Sequence, residues 1–295
     1  MKETMRFSLV LATFGRTREL ECFFSSLQLQ SCQDYELILV DQNEPDVLAE
    51  ILERWERRLN LVRVRSERGV SKARNAGLAR AKGDIIAFPD DDCVYSTELL
   101  RRVESFFAEH PVHRVLAVGV TDESGMPSGN RWFQDECEIN HTNIFRTSAT
   151  YSLFIRVDSA LAKIHFDEDI GPNSGTGFGC GEDTDYALSI LEAGHRAYFT
   201  RSLVVHHPRR DMMSGNASKE RATKYGIGMG HVLRKHSLWL LALALVGYDW
   251  TRALFSVLSR RGTSAMLCSL HSMGILRGLM MSPNRQPVKL LRRSS

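Results

Sequence analysis

The sequence predicts an α/β fold in which a mixed, mainly parallel sheet lies between helices, followed by a C-terminal helical appendage. Apolar runs rich in Val, Ile and Leu alternate with helices of about a dozen residues, a pattern typical of βαβ units whose sheet is covered on both faces. A chain of 295 residues is also long enough for one large α/β domain with an appendage.

The first half of the chain alternates between predicted strands and predicted helices. Continuous apolar runs predict strands, and the stretches of helical periodicity between them predict helices. The predicted elements are a strand over 7–12, a helix over 18–30, a strand over 35–40, a helix over 47–57, a strand over 61–64, a helix over 71–81 and a strand from 85. A helix over 97–110 follows, with Ser96 or Thr97 as its N-cap. Inside helix 71–81, Asn75 and Gly77 are predicted to serve local packing.

The second half is less regular. A polar stretch over 122–143 contains glycine and proline and could cover a cleft. A glycine-rich loop that begins at Gly171 leads into a helix that ends at Gly194. The predicted elements are strands over 115–120 and 151–155, a helix over 183–193, and strands over 197–200 and 203–207.

Three consecutive aspartates, Asp90, Asp91 and Asp92, close the apolar run that begins at residue 85. Carboxylates about 4 Å apart repel each other by roughly 1 kcal/mol in water, and more strongly in a buried cleft, unless a cation lies among them. A divalent cation such as Mg²⁺ meets this need, because one or two carboxylates and the phosphates of a substrate hold it. The alternative is an acidic turn ahead of the next helix, and the triplet alone does not decide between the two.

Polar residues follow three predicted strands. Thr13, Phe14 and Gly15 follow the first strand, Asp41 follows the second, and the aspartate triplet follows the fourth. Ligands of parallel α/β sheets bind beyond the carboxyl ends of the strands. We therefore expect one crevice that these residues line.

Two more groups of polar residues are candidates for a site. Glu182 and Asp183 open the helix after the glycine-rich loop, where the helix macrodipole alone would favour acidic side chains. No strand leads into the glycines with the spacing of a Rossmann or P-loop fingerprint, which excludes a site of that kind. His206 and His207 end the last predicted strand, where histidines are more often structural than ligands.

The C-terminal part of the chain differs in charge from the rest. From Lys224 onward, eleven Lys and Arg accompany one acidic residue, Asp249, a net charge of +10; since the whole chain carries +3, residues 1–223 carry −7. The uncharged stretches in this tail, thirteen residues over 236–248 and fifteen over 262–276, are shorter than the roughly 20 residues that span a bilayer. Apolar stripes with Trp and basic residues predict helices lying in the interface of an anionic membrane. Packing on the first 223 residues or a dimer seam is the alternative.

Composition also narrows the class of protein and its location. The aromatic and basic interleaving of a nucleic-acid platform is absent from the first 223 residues, so no nucleic acid is expected as a partner. Six scattered cysteines without a C-x-x-C pair, and an N-terminus unlike a signal peptide, predict a reduced, cytoplasmic protein.

Five segments, taken together, carry a resemblance to a known family. They are ATFGR, VDQN, RGVSKARNAGLARAKGDIIAFPDDD, FDEDIGPNSGTGFGCGEDTDYALSILEAGHRAYF and VVHHPRR, in this order over roughly residues 7–210. Their order and spacing resemble those of family-2 glycosyltransferases with the GT-A fold. The chain lacks the Q-x-x-R-W motif and the long transmembrane flanks of the processive polysaccharide synthases of that family, which favours a single transfer per encounter and the type that assembles bacterial glycans.

The resemblance implies a donor site for a nucleoside diphosphate sugar. The residues that it places there are Thr13, Phe14, Asp41, Arg68, Lys72, Arg74, Asp90 and Asp91. Among them, Asp41 would accept a hydrogen bond from the nucleobase, and Arg74 would contact the base or the diphosphate. The implied cofactor is Mg²⁺ or Mn²⁺, with Asp92 as a direct ligand and His207, or alternatively His206, as an additional one.

The resemblance also implies the chemistry and the setting. Inversion at the anomeric carbon needs a base, which would be Asp183, with Glu182 orienting it or binding the acceptor. Residues 1–223 would form the catalytic domain, with a nucleotide-binding half over about 1–120 and an acceptor half over about 121–223, and 224–295 the membrane-associating tail. The acceptor would be a saccharide, lipid-linked, at the inner face of the cell membrane.

The sequence leaves two other classes of function open. One is a nucleotidyltransferase that makes the activated sugar, although the glycine-rich N-terminal phosphate loop of such enzymes is missing from ATFGRTREL. The other is a non-catalytic nucleotide- or glycan-binding scaffold of the same fold. The presence of both Asp92 and Asp183 argues against the scaffold.

Overall fold

The computed structural model describes residues 5–128, 132–209, 216–259 and 261–282. The chain forms two compact units, one made of Met1–Asp167 and Glu182–Met213 and the other of Glu168–Gly181 and Ser214–Ser295. This division assigns the glycine-rich segment Glu168–Gly181 to the second unit, whereas the predicted domain boundary fell at residue 223.

The first unit is built on a mixed sheet. Its strands are β1 (Phe7–Thr13), β2 (Tyr35–Asp41), β3 (Leu61–Arg65), β4 (Ile85–Ala87), β5 (Val94–Tyr95), β6 (His113–Thr121), β7 (Cys137–Glu138), β8 (Leu153–Arg156) and β9 (Arg196–His206). The order among the described strands is β3-β2-β1-β4-β8-β6-β9-β5, with β7 paired to β9. The pairs β3-β2, β2-β1, β1-β4 and β6-β9 are parallel, and β8 runs antiparallel between β4 and β6. The predicted mixed, mainly parallel sheet is confirmed.

The helices of the first unit follow the predicted alternation. They are α1 (Arg18–Gln28), α2 (Ala49–Trp55), α3 (Val70–Leu78), α4 (Leu99–Glu109) and α5 (Glu182–Glu192). The cluster of buried side chains that forms the core includes Phe7, Leu9 and Leu11 of β1 and Phe23 and Phe24 of α1. The strands of the centre are buried on both faces, which is why their sequences are continuously apolar.

Helix α3 shows why two of its residues are small or polar. A Cβ added to Gly77 would lie 2.3 Å from Cγ1 of Val10, so only glycine lets the helix approach the sheet this closely. Asn75 donates to the carbonyl of Phe166 and accepts from its N–H, both at 2.9 Å. The prediction that these two residues serve local packing is confirmed.

Two local predictions are wrong. Helix α4 begins at Leu99 with Glu98 as its N-cap and without a side-chain cap; Ser96 and Thr97 lie in the preceding turn, where their carbonyls accept hydrogen bonds from Gln30 and Ser31. The strands predicted over 197–200 and 203–207 are one strand, β9, whose register against β6 shifts between Val118 and Gly119. A polar interruption in the sequence therefore marks an irregularity inside a strand rather than its end.

The second unit is helical. Its helices are α6 (Asn216–Lys235), α7 (Trp239–Leu258) and α8 (Gly262–Met280). Helices α6 and α8 approach each other through glycines, since a Cβ on Gly230 would lie 2.1 Å from the carbonyl of Ile275 and one on Gly278 would lie 2.1 Å from that of Ile227. Such close backbone contact requires small residues at the crossing.

Helix α7 is longer than the uncharged stretch that predicted it. It runs for 20 residues through Asp249, which is buried and lies 2.6 Å from Nδ1 of His271 on α8. This partner compensates the burial of the carboxylate, so the helix continues through a charged position. Among the described helices, α7 has the length and apolar composition that a membrane crossing needs.

The outer face of α7 is apolar along its whole length. The buried residues of the helix, such as Ala242 and Ala253, lie on one side. The other side exposes large apolar side chains, which are Trp239, Leu240, Leu243, Trp250, Leu254, Phe255, Val257 and Leu258. We call this set the α7 outer face. An exposed apolar surface of this extent marks a site of association.

Candidate active site

The ends of the central strands meet as the sequence predicts. Strands β1 and β2 pair so that Thr13 lies opposite Asp41, each the last residue of its strand. The hydroxyl of Thr13 donates to Oδ2 of Asp91, which follows β4, at 2.8 Å. The carboxyl edge of the sheet therefore brings the three predicted groups of polar residues together.

Cations of the chain itself surround the aspartate triplet. Nη1 of Arg16 lies 2.8 Å from Asp91 and also pairs with Asp92. Nη2 of Arg74 lies 3.4 Å from Oδ1 of Asp90. The three aspartates need a cation to offset their mutual repulsion, and these arginines supply part of the positive charge.

The same surroundings separate the pKa values of two neighbouring carboxyl groups. Burial raises the pKa of Asp91 to about 6, although Arg16 and the hydroxyl of Thr13 oppose the shift. Burial also acts on Asp92, but the adjacent His207 and Arg16 outweigh it and lower the pKa of Asp92 to about 2. Asp92 is thus firmly anionic at neutral pH, as a metal ligand must be.

Asp90, Asp92 and His207 form a cluster that fits a divalent metal. One potential ligand atom from each lies within 4.8 Å of the others. Oδ1 of Asp92 and Nε2 of His207 are 3.1 Å apart and buried, yet neither has a hydrogen-bond partner of good geometry among the described residues. Buried polar atoms without partners are costly unless a ligand satisfies them. The oxygen and imidazole donors suit Mg²⁺ or Mn²⁺.

The orientation of His207 supports this residue, rather than His206, as the metal ligand. Its Nδ1 lies 2.9 Å from the carbonyl of Pro208, so an Nδ1–H donates there and directs Nε2 at the carboxylates. The ring of Tyr151 stacks on the imidazole with centroids 4.6 Å apart. His206 instead places Nδ1 3.0 Å from the hydroxyl of Thr121. The structure therefore puts His207 in the cluster and His206 outside it.

A second group of carboxylates lies beside this cluster, at the start of α5. Nη1 of Arg74 lies 2.9 Å from Oδ1 of Asp183 and 3.7 Å from Glu182, while its Nη2 reaches Asp90. The hydroxyl of Thr150 also donates to Oδ1 of Asp183. The buried guanidinium of Arg74 thus joins the Asp90 cluster to the acids of the α5 start.

The two acids of the α5 start differ in exposure. The side chain of Asp183 is 32% exposed and that of Glu182 is 11% exposed. Burial, and then the charge of Asp183, raise the pKa of Glu182. Glu182 therefore binds a proton more readily than an ordinary glutamate does, and Asp183 is the more exposed of the two carboxyl groups.

Asp41 is held in a way that the sequence did not predict. Its carboxylate is buried and accepts hydrogen bonds on Oδ2 from Arg63 and Arg65, both at 2.6 Å, and on Oδ1 from Asn43 at 2.8 Å. Burial opposes ionisation, but the hydrogen bonds from Asn43 and the arginines lower the pKa of Asp41. The alternation Arg63-Val64-Arg65 on β3 places both arginines on one face, a signal that could have identified them.

The remaining predicted donor residues lie nearer the surface. Phe14 is 41% exposed, and the guanidinium of Arg68 covers its ring at 4.0 Å from the centroid. Nζ of Lys72 lies 3.6 Å from Glu67, and both side chains are exposed to solvent. Phe14 and Arg68 therefore form one platform, and Lys72 pairs with a neighbour rather than with the aspartates.

The comparisons with known proteins agree with this geometry. The family model described as "Glycosyl transferase family 2" matches residues 8–164, more than half of the chain. Taken with the sheet and the strand-end carboxylates, this match shows that the chain belongs to glycosyl transferase family 2.

Relatives of known name share part of the chain. Over 111 residues it is 29% identical to the poly(ribitol-phosphate) β-N-acetylglucosaminyltransferase TarS of Staphylococcus aureus, covering 36% of this chain and 19% of TarS. Over 108 residues it is 31% identical to a PGL/p-HBAD biosynthesis glycosyltransferase of Mycobacterium bovis, covering 35% of this chain and 42% of that protein. The alignments span less than half the length of either relative.

Solved structures extend the similarity to the fold. TarS 1–349 in complex with UDP-GlcNAc has a TM-score of 0.59 at 17% identity and covers 90% of both chains. The mannosyltransferase PcManGT of Pyrobaculum calidifontis, in complex with GDP-Man and Mn²⁺, has a TM-score of 0.62 at 15% identity and covers 95% of this chain and 88% of its own. The fold is the GT-A fold with C-terminal helices, as the sequence predicts.

Proposed function

We propose that the protein is an inverting glycosyltransferase that moves a sugar from a nucleoside diphosphate sugar to a hydroxyl of a saccharide acceptor. The observation that carries the proposal is the position of Arg74, whose guanidinium contacts both Asp90 and Asp183. A cluster that fits a metal ion therefore lies in the same cleft as an accessible carboxylate. Glycosyl transfer needs both, the first to activate the donor and the second to deprotonate the acceptor.

The donor is proposed to bind at the strand ends. Thr13, Phe14, Asp41 and Arg68 surround the carboxyl ends of β1 and β2, where a nucleotide binds in sheets of this kind. The similar structures that hold UDP-GlcNAc or GDP-Man support a nucleotide sugar as the ligand. Because both oxygens of Asp41 are engaged, a nucleobase N–H that binds this carboxylate would replace a hydrogen bond from Asn43, Arg63 or Arg65.

Asp92, Asp90 and His207 are the residues that would hold Mg²⁺ or Mn²⁺. When bound, the metal neutralises the charge that develops on the departing nucleoside diphosphate. Arg74 supplies fixed positive charge for phosphate oxygens beside this cluster, whereas Lys72 would have to leave Glu67 to reach them.

Asp183 is proposed to act as the general base. In the described part of the chain Arg74 and Thr150 both contact Oδ1, which leaves Oδ2 to accept the proton of the acceptor hydroxyl. The acceptor oxygen then forms a bond to the anomeric carbon as the bond to the diphosphate oxygen breaks, so the configuration inverts. Glu182, with its raised pKa, positions the acceptor or Asp183 rather than competing for this role.

The product released from a donor tests this function. Incubating the protein with a panel of sugar nucleotides and Mg²⁺ or Mn²⁺ should release nucleoside diphosphate, even slowly to water when no acceptor is present. Release of pyrophosphate from a sugar phosphate and a nucleoside triphosphate would instead identify a nucleotidyltransferase. A protein that binds nucleotide and releases neither product would be a scaffold.

The tail is proposed to attach the enzyme to an anionic membrane from the cytoplasmic side, where a lipid-linked saccharide would be the acceptor. Two observations support this: the net charge of +10 from Lys224 onward, and the α7 outer face with its two exposed tryptophans. Basic residues attract anionic headgroups, and the apolar face gains free energy by insertion at the interface.

Vesicle binding checks the tail. The protein should bind vesicles that contain phosphatidylglycerol, and salt should weaken the binding because each Lys or Arg contributes on the order of 1 kcal/mol that ions screen. Leu254→Glu on the α7 outer face should reduce binding, whereas Leu29→Glu, an equally exposed leucine of the first unit, should not. The membrane proposal is wrong if the wild-type protein does not bind these vesicles. If the wild-type protein is also a dimer that Leu254→Glu dissociates, the α7 outer face is a dimer interface.

A further inference from the structure

A groove of about 310 Å³ lies on the first unit away from the strand-end carboxylates. Three segments line it: helix α4 with its C-cap, the residue before β7, and the middle of β9. The residues that matter are Phe106 and Glu109 of α4, the C-cap His110, Glu136, and Tyr198 and Ser202 of β9. The volume lies at the lower end of the range of about 300–1,000 Å³ that small-molecule sites occupy.

Three nearly parallel rings form one wall of this groove. The His110 imidazole stacks on the Phe106 ring with centroids 4.4 Å apart and planes at 16°. Tyr198 is inclined by 27° to Phe106 and by 14° to His110, at 5.8 and 6.5 Å. Flat aromatic faces match the face of a pyranose ring that carries C–H groups, because both surfaces are apolar while their edges are polar.

Polar groups lie around the rings. The hydroxyl of Thr200 donates to Glu136 and lies 2.7 Å from that of Ser202. Glu109 and Glu136 offer exposed carboxylates, which can accept two hydrogen bonds from neighbouring hydroxyls. Nδ1 of His110 is engaged with the carbonyl of Phe106 at 3.0 Å, which leaves Nε2 as a further acceptor.

The charges of the groove select the class of ligand. Two carboxylates, Glu109 and Glu136, face one arginine, Arg102. A phosphorylated or carboxylated ligand would be repelled by this excess of negative charge, whereas a neutral polyhydroxylated ligand satisfies both the acceptors and the rings.

We propose that this groove is a second saccharide-binding site, which holds a neutral sugar unit remote from the site of transfer. Tyr198 in the groove lies opposite Leu116 of β6, and His206, the neighbour of His207, lies opposite Thr121; these two positions of β6 are five residues apart, which at about 3.3 Å per residue is roughly 16 Å. One monosaccharide cannot occupy both places, so the two sites hold different units of a glycan. The choice of a glycan as ligand rests on the proposed function, but binding to the groove needs no donor, metal or chemistry.

The experiment measures binding of neutral oligosaccharides to the full chain without donor or metal. Cellohexaose, N-acetylchitohexaose and mannohexaose are titrated by calorimetry, with a heparin hexasaccharide as the anionic comparison. At least one neutral probe should bind and the heparin probe should not. His110→Ala and Glu136→Gln should each weaken binding by about tenfold, the loss expected for one ring contact or one hydrogen bond to a charged group.

Controls keep the result specific to the groove. His165→Ala removes an exposed histidine elsewhere on the first unit and should leave binding unchanged. Release of nucleoside diphosphate from the donor should be the same in all three variants, so a failure of the proposed function would appear there and not in the binding titration. The proposal is overturned if no neutral probe binds, or if a probe binds equally to wild type, His110→Ala and Glu136→Gln.

Discussion

Replacing Asp183 by Asn is expected to lower the rate of transfer by roughly 10²-fold or more while leaving donor affinity nearly unchanged. An amide keeps the hydrogen-bonding shape of the side chain but cannot take the proton of the acceptor hydroxyl. Asp183 is the more exposed acid of the α5 start, and its contacts to Arg74 and Thr150 hold it in place. Transfer to a saccharide acceptor and donor binding by calorimetry are measured on the same preparation.

Glu182→Gln is the matched comparison for this variant. It makes the same chemical change one residue earlier, at a side chain that is buried and whose pKa is raised, so a smaller loss of transfer is expected. Slow hydrolysis of the donor should survive in Asp183→Asn, because hydrolysis needs no acceptor. Near-normal transfer by Asp183→Asn with a large loss in Glu182→Gln would exchange the two roles.

Asp92→Asn is expected to abolish metal-dependent binding of the donor nucleotide, whereas Asp91→Asn should weaken it less. Both substitutions remove one carboxylate from the same loop. A difference in nucleotide binding between the two variants therefore depends on the position of the carboxylate and not on the net charge of the loop. Oδ1 of Asp92 faces His207 at 3.1 Å, while Asp91 is engaged with Thr13 and Arg16. Calorimetry of UDP and GDP with and without Mn²⁺ measures the effect.

The contrast between the two aspartates decides the assignment. Undiminished metal-dependent binding by Asp92→Asn would remove Asp92 from the ligand set. Equal losses in both variants would show that the loop binds the metal through its charge as a whole. A His206→Ala variant, which changes the histidine outside the cluster, should behave like the wild type.

Much of the fold could be predicted from the sequence because the central strands are buried on both faces. Their continuous apolar runs, as in β2, stand out against the helices, and the strand-end rule then places Thr13, Asp41 and the aspartates at one edge. Local boundaries were less predictable. The start of α4 depends on which carbonyls of the preceding turn are taken by Gln30 and Ser31, and sequence propensity does not contain that information.

The sequence predicted which residues form the site better than it predicted their hydrogen-bond partners. The aspartates, the α5 acids and the histidine pair are visible as motifs, but the partners of Asp183 and Asp41 lie far away along the chain. Thr150 reaches Asp183 across 33 positions and Arg63 reaches Asp41 across 22. Such pairs form only when the sheet assembles, so the sequence around Asp183 or Asp41 does not show them; only the alternation of Arg63 and Arg65 on β3 offers a signal.

Arg16 contacts both Asp91 and Asp92 and so offsets part of the repulsion between these carboxylates. We therefore expect the loop after β4 to fold without a divalent ion, unlike a zinc finger, in which ion binding and folding are one equilibrium. An ion at the proposed site would then bind and leave with each nucleoside diphosphate, so the supply of metal would affect turnover but not the amount of folded protein.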